Sequence, residues 1–160
     1  MNINDLCWIA MSYIFSPDAS ISYQKKISTS IPKRMRVCTN IAKEAQKQNV
    51  NPVLAVALAY HESRFSYPIS KAGAKGPLGV ITKYHCNKEP CDLTKAGVYA
   101  LKKYLKRTKN TCDAIAQYNS NLDAHCQQDT PATHYAHSVL DMYYELKLFN
   151  QKTCYSKPIK

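Results

Sequence analysis

Acidic residues are scarce in this chain of 160 residues, which has 11 Asp and Glu residues against 22 Lys and Arg residues. The formal net charge is +11 and the isoelectric point is near 9.3. A strongly positive surface attracts polyanions at long range, and nucleic acid, an anionic membrane face and an acidic cell-wall polymer all qualify. We therefore expect salt-sensitive association, and charge alone leaves the class of partner open.

Long hydrophobic segments, internal repeats and low-complexity tracts are also missing. The apolar run from Leu6 to Phe15 is too short to span a bilayer. No Lys or Arg precedes this run, whereas a secretory signal peptide begins with basic residues. We therefore expect neither a signal peptide nor a membrane span, and we interpret the segment as a helix packed on the domain through Trp8, Ile9 and Tyr13.

The CxxC spacing of zinc ribbons and redox motifs is absent, although the chain contains seven cysteines. Cys86 and Cys91 flank a short loop, and Cys112 and Cys126 flank the end of a predicted helix. Both pairs suit local disulfides, which favour an oxidising, extracytoplasmic setting. The alternative is a zinc site. Its candidate ligands are His85, Cys86, Cys91, His125 and Cys126.

The apolar pattern is mostly helical, and a chain of this length is expected to form one domain, 1–160. We predict an N-terminal helix and loop over 1–35, with the loop covering 16–33, then a core over 36–148 and a tail over 149–160. Within the core, helices are predicted over 36–48, 51–65, 94–107 and 110–118, and a last one from 130 onward. Thr94 is the predicted cap of the third of these helices.

The helix predicted from Asn51 carries most of the functional information. Asn51 suits the N-cap, and Pro52 suits the first helical position because its missing N–H would have no partner there. Pro68 disfavours helical geometry in the residue before it, so the helix is predicted to end near Phe65.

Glu62 lies on the apolar face of this helix. Leu54, Leu58 and Glu62 recur every four residues, so the carboxyl group continues the face that should be buried. Burial disfavours the charged form and raises the pKa of a carboxyl group, which suits a general acid near neutral pH. The alternative is a glutamate in the last turn that points into solvent.

A glycine-rich segment follows this helix. Three of the four glycines of the chain, Gly73, Gly76 and Gly79, fall within seven residues. Glycine permits backbone conformations that are closed to other residues and allows main-chain groups to approach a ligand closely. An acid that faces such a loop is a candidate active site.

Four motifs follow one another between about residues 49 and 145. They are Glu62-Ser63 with Phe65; Ser70, Gly73, Ala74, Gly76, Pro77, Leu78, Gly79 and Val80; Tyr118-Asn119-Ser120-Asn121; and Tyr135 with Val139. In this order and spacing they resemble the lysozyme-like lytic transglycosylases, which cut the glycan strands of peptidoglycan. The chain departs from the family at three positions. Pro77 replaces a leucine, Gly79 replaces a glutamine that lines the sugar site, and Asn121 replaces a glycine.

The resemblance implies a mainly α, lysozyme-like (α+β) fold with a substrate cleft. It implies that Glu62 is the catalytic acid and then the base, that Tyr135 hydrogen-bonds Glu62, and that no metal or other cofactor takes part. The implied substrate-binding residues are Ser63, Ser70, Gly76, Tyr118, Asn119 and Tyr135. Hydrolytic glycosidases usually need two carboxylates, whereas the spacing of Asp92, Asp113 and Asp123 directs none of them at Glu62. A single acid is enough if the 6-hydroxyl of N-acetylmuramic acid replaces water and closes a 1,6-anhydro ring.

Several functions remain as alternatives. A lysozyme-type muramidase would use the same fold, and a wall-binding or assembly module would explain the missing glutamine. Nucleic acid is not expected as a partner, because no interleaved basic and aromatic motif occurs. The expected partner is peptidoglycan outside the cytoplasm. A phage endolysin or virion part and a secretion-system accessory are the two settings considered.

Overall fold

Seven helices make up the regular structure in the computed structural model, which describes residues 2–14, 21–86, 90–120 and 123–155, with the side chains of all but 21–27 and 150–155. They are α1 (Ile3–Ser12), α2 (Ile21–Lys47), α3 (Pro52–Ser63), α4 (Thr82–His85), α5 (Leu93–Arg107), α6 (Thr111–Ser120) and α7 (Pro131–Tyr155). The described residues contain no strand, and their β structure is limited to bridges that join Lys75 to Ile69 and to Val80. The prediction of a mainly helical fold is confirmed.

The helix α3 lies in the centre of the fold. Its residues 54–59 are all buried, and it packs against α1, α2 and α7. A helix that is apolar on every side can be accommodated only inside a core, which explains this position. Glu62 follows in the last turn of α3, so the carboxyl group is delivered to the edge of the core.

Both ends of α3 are well defined. The Asn51 side chain accepts a hydrogen bond from the Val53 N–H at 2.9 Å, which confirms the predicted N-cap. The helix ends at Ser63, two residues before the predicted end. Arg64 and Phe65 adopt left-handed conformations with φ of 48° and 59°, which reverse the chain and bury the Phe65 ring completely.

The prediction of a loop over 16–33 is wrong for residues 21–33, which form the first half of α2. Residues 16–20 lie outside the described part of the chain. The serines and Pro32 in this segment discourage a helix locally, but Ile31 and Met35 pack against the core. Tertiary contacts therefore stabilise a helix that the local sequence does not indicate. The second half agrees with prediction, since its apolar stripe is buried (Val37, Ile41, Ala42 and Ala45).

The prediction that Trp8 is a core contact of α1 is wrong, because 58% of its surface is exposed. The buried stripe of α1 and the residues after it has the usual helical spacing. It consists of Leu6, Cys7, Ala10, Met11 and Ile14. Ile9 and Tyr13 are partly buried against this core, as expected.

The caps of the later helices differ in part from prediction. Asp92, not Thr94, caps α5, and its side chain accepts a hydrogen bond from the Lys95 N–H at 3.0 Å. Asn110 caps α6, and its side chain accepts a hydrogen bond from the Asp113 N–H at 2.8 Å. Aspartate and threonine both cap helices, so the choice between neighbours depends on where the preceding loop turns.

The last helix is longer than expected. Residues 149–155 belong to α7 and are not a tail, because the helix continues to Tyr155. Length alone does not make a membrane span here. Although α2 and α7 have 27 and 25 residues, none of the described helices is both long and apolar enough to cross a bilayer.

The described part of the chain contains three disulfides, of which one joins two helices and two close short segments. Cys86–Cys91 and Cys112–Cys126 confirm the two predicted pairs, and their thiols are therefore not available to the alternative zinc site. Cys7–Cys38 was not predicted, because these residues lie on two different helices. It ties α1 to the middle of α2, and both residues are fully buried.

We predict that the three disulfides stabilise the fold in the order of their loop lengths, which are 31, 14 and 5 residues. Loop-closure entropy gives about 4 kcal/mol for Cys7–Cys38, about 3 for Cys112–Cys126 and about 2 for Cys86–Cys91. Each pair is replaced by alanines, and the free energy of unfolding is measured in urea. An equal loss for the longest and shortest loops would contradict this order.

Candidate functional site

The carboxyl group of Glu62 is held from the opposite side of the fold. Its Oε1 atom accepts a hydrogen bond from the hydroxyl of Tyr135 on α7, 73 residues away in sequence. The predicted contact between the two residues is therefore confirmed. The packing of α3 against α7 brings them together, since each lies on the buried side of its helix.

Burial controls the protonation of this group. The surrounding protein removes water from the Glu62 carboxyl and raises its pKa, while the hydrogen bond from Tyr135 acts in the opposite direction and offsets part of the rise. Burial and the nearby Glu62 carboxylate also raise the pKa of Tyr135, so its hydroxyl stays protonated and donates. The site combines a carboxyl group whose pKa is raised by burial with a protonated tyrosine hydroxyl that donates to it.

Residues 69–80 form the glycine loop, which lies beside the end of α3. The backbones of Lys75 and Val80 exchange two hydrogen bonds of 2.7 and 2.8 Å, and the Ser70 hydroxyl accepts one from the Ala74 N–H at 3.0 Å. Gly73, Gly76 and Gly79 all have positive φ. The loop is thus a closed, internally bonded turn.

Two of the implied substrate-binding residues hold this loop in place. Ser63 donates from its hydroxyl to the Pro77 carbonyl at 2.9 Å, and Tyr118 donates to the Leu78 carbonyl at 2.7 Å. Burial raises the pKa of Tyr118, and the Glu62 carboxylate adds to the rise, so Tyr118 remains a donor. Neither hydroxyl proton is free for a sugar in this arrangement.

The other predicted site residues differ in their surroundings. Gly76 is buried, its N–H donates to the Pro68 carbonyl at 3.2 Å, and an added Cβ would lie 2.9 Å from Leu93 Cβ. It therefore has a packing role in the described structure. Ser70 and Asn119 are exposed, the first in the glycine loop and the second in the last turn of α6.

The three aspartates considered as a second carboxylate are engaged elsewhere. Asp92 caps α5. Asp113 accepts a hydrogen bond from the Cys126 N–H at 2.7 Å, and Asp123 accepts one from the Gln117 side chain at 3.1 Å. None of these partners belongs to α3 or to the glycine loop.

His61 does not form a dyad with the neighbouring acid. Its ring lies edge-on to the rings of Tyr60 and Tyr135, with centroids 5.4 and 6.3 Å away. Burial lowers the pKa of His61, which favours the neutral ring. Adjacent positions on a helix do not face each other, and these ring contacts give His61 a structural role.

Gly97 is a contributor that the sequence analysis missed. It lies in α5, where an added Cβ would come within 2.5 Å of Leu78 Cβ. The absence of a side chain lets α5 approach the glycine loop and cover the fully buried Leu78. A single glycine inside a helical pattern was the available signal, since such a residue often marks close packing.

Gln117, next to Tyr118 in α6, is the centre of a separate buried network. It is 2% exposed, accepts a hydrogen bond from Arg107 at 2.9 Å, and donates to Asp123 and to the Ala124 carbonyl. A cavity of about 450 Å³ lies beside this network. Its lining residues do not include Glu62 or any residue of the glycine loop, so we do not assign it to the site.

One comparison with known proteins identifies the family of this chain. The family model described as the transglycosylase SLT domain matches residues 39–138, which include Glu62, the glycine loop, Tyr118 and Tyr135. Searches of curated proteins and of solved structures gave no significant match. With its model matched over more than half of the chain, the protein belongs to the transglycosylase SLT domain family, whose activity is lytic transglycosylation of peptidoglycan outside the cytoplasm.

Proposed function

We propose that this protein cleaves the β-1,4 bond between N-acetylmuramic acid and N-acetylglucosamine, with Glu62 as the only catalytic carboxyl group. The hydrogen bond between Glu62 and Tyr135 carries the proposal. It fixes an acid of raised pKa beside a loop whose backbone can lie close to a sugar. The three aspartates that might supply a second carboxylate are bonded to groups elsewhere in the fold.

The proposed reaction uses one carboxyl group twice, first as acid and then as base. Protonated Glu62 donates to the glycosidic oxygen as the bond from C1 of the muramic sugar to that oxygen breaks, which releases the N-acetylglucosamine hydroxyl. The Glu62 carboxylate then removes the proton from the 6-hydroxyl of the same sugar as O6 bonds to C1. The product is a 1,6-anhydro ring, Glu62 is protonated again, and no water is consumed. Because the nucleophile belongs to the substrate, proximity supplies part of the rate.

The remaining residues of the site have supporting roles in this proposal. Tyr135 orients the carboxyl group, and Ser63 and Tyr118 hold the glycine loop against it. Ser70 and Asn119 are the exposed members of the set and are the proposed sugar contacts. The same chemistry fits a phage endolysin or virion part and a secretion-system accessory, and we keep both settings as hypotheses.

We predict that digestion of purified sacculi releases fragments that end in 1,6-anhydro-N-acetylmuramic acid. The reaction adds no water to the cleaved bond, whereas hydrolysis adds one molecule, so each fragment is about 18 Da lighter than the reducing product of hydrolysis. Mass spectrometry before and after borohydride reduction separates the two, since only a reducing end gains hydrogen. Reducing ends would favour the muramidase alternative, and binding without any product would favour the wall-binding module.

We predict that Glu62→Gln lowers the rate of peptidoglycan clearing by about 10³-fold, the usual range for loss of a general acid and base. The variant should unfold at the same temperature as the wild type or at a higher one near pH 7. The raised pKa means that the ionised carboxyl costs folding free energy above that pKa, and the neutral amide removes this cost. Glu145→Gln, the same change at an exposed position of α7, is the control and should retain activity.

We predict that Tyr135→Phe raises the pKa of Glu62 further, because it removes a hydrogen bond that favours the ionised form. Activity requires the protonated acid, so the fall of activity at high pH should move to higher pH while the maximal rate decreases. The pH profile of kcat/KM measures both effects. Tyr143→Phe removes a hydroxyl of α7 that contacts Asn51 instead of Glu62, and it should leave the profile in place. A shift of the Tyr135→Phe profile to lower pH would contradict the assigned role.

A further inference from the structure

Gly79 is the part of the glycine loop that touches the Glu62 carboxyl group. A Cβ atom added at this position would overlap Glu62 Oε2 and lie 3.2 Å from Glu62 Cδ. Tyr135 binds the other oxygen, Oε1. The carboxyl group is therefore enclosed between a hydrogen-bond donor on one side and a backbone without a side chain on the other.

The backbone around Gly79 is fixed from both directions. Ser63 binds the Pro77 carbonyl, Tyr118 binds the Leu78 carbonyl, and Val80 exchanges two hydrogen bonds with Lys75. Leu78 is also fully buried against Gly97. Any group added at position 79 would thus meet a loop that cannot retreat without breaking several of these contacts.

The side chain of Glu62 is the component that can move. It is a flexible chain with its carboxyl group at the far end. Among the contacts of the described residues, rotation away from position 79 breaks one hydrogen bond, which is the bond to Tyr135. Crowding at position 79 should therefore leave the fold intact and displace the acid. A displacement of about 1 Å at a reacting group is enough to cost about 100-fold in rate.

We propose that Gly79 is a positioning residue, and that the absence of a side chain at this position is a condition for the contact between Glu62 and Tyr135. The catalytic part of this proposal rests on the proposed function of Glu62, whereas the positional part does not. It follows that the glutamine found here in similar transglycosylases would be incompatible with this backbone. The departure from the family pattern is then an adaptation of this loop and not the loss of a contact.

Gly79→Ala is tested against Gly73→Ala. Gly73 has a comparable φ, 82° against 60°, but an added Cβ there meets no atom within 4 Å. Both substitutions impose the same kind of backbone strain, and only the first crowds Glu62. We expect Gly79→Ala to lower kcat on soluble glycan strands by at least about tenfold with a smaller change in KM. Gly73→Ala should stay close to the wild type, and Gly79→Gln should be at least as impaired as Gly79→Ala.

A second measurement does not depend on activity. In the wild type, the 13C signal of the ring carbon that carries the Tyr135 hydroxyl should titrate together with Glu62, and this response should be absent in Glu62→Gln. The response should persist in Gly73→Ala and be lost in Gly79→Ala. If Glu62→Gln remained active, the proposed function would fail, while this titration would still test the position of the acid.

Three results would overturn the inference. The first is a Gly79→Ala variant with the kcat and the Tyr135 titration of the wild type. The second is an equal loss of kcat in Gly79→Ala and Gly73→Ala. The third is a higher activity in Gly79→Gln than in Gly79→Ala. If Gly79→Ala does not fold, the double variant Glu62→Ala with Gly79→Ala decides the question. If the double variant folds, the defect of Gly79→Ala comes from overlap of the added Cβ with the Glu62 carboxyl group. If neither the single nor the double variant folds, the defect lies in the backbone at position 79 and the inference is wrong.

Discussion

The removal of water from one carboxyl group is the constraint on which the rest of the site depends. A glutamate in water is ionised near neutral pH and is a poor proton donor. In this chain Glu62 follows six buried residues of α3, so its side chain emerges where the core ends and the glycine loop begins. Tyr135 then limits the cost of burial by offering one hydrogen bond, which also sets the direction of the acid.

The glycine loop depends on the same helix end. Ser63 follows the acid directly and binds the loop at Pro77, so the residue that ends α3 also fixes the segment facing the acid. Tyr118 binds the next carbonyl from α6, and Gly97 lets α5 lie against Leu78. The loop is thus held by side chains of α3 and α6 and by the close approach of α5, in addition to its own internal hydrogen bonds.

Parts of the fold follow from local rules, and others do not. The cap at Asn51, the apolar stripes of α3 and α5 and the short-range disulfides are decided by neighbouring residues, and a sequence pattern records such interactions. The first half of α2 depends on packing against the core, for example by Ile31. The disulfide from Cys7 to Cys38 likewise joins segments that are far apart in the chain. The exposed Trp8 shows the same limit, since an apolar residue is not by itself evidence of burial.

The sequence by itself determined that Glu62 ends an apolar helix beside a glycine cluster, because helical spacing and backbone freedom are local properties. It also indicated, through the order of four motifs, the transglycosylase family to which the chain belongs. Only the tertiary structure decided that the hydroxyl groups of Ser63 and Tyr118 donate to carbonyl groups of the loop, and that Gly79 adjoins the acid. These contacts join α3, α6 and the loop across the core, and their existence depends on how the helices pack.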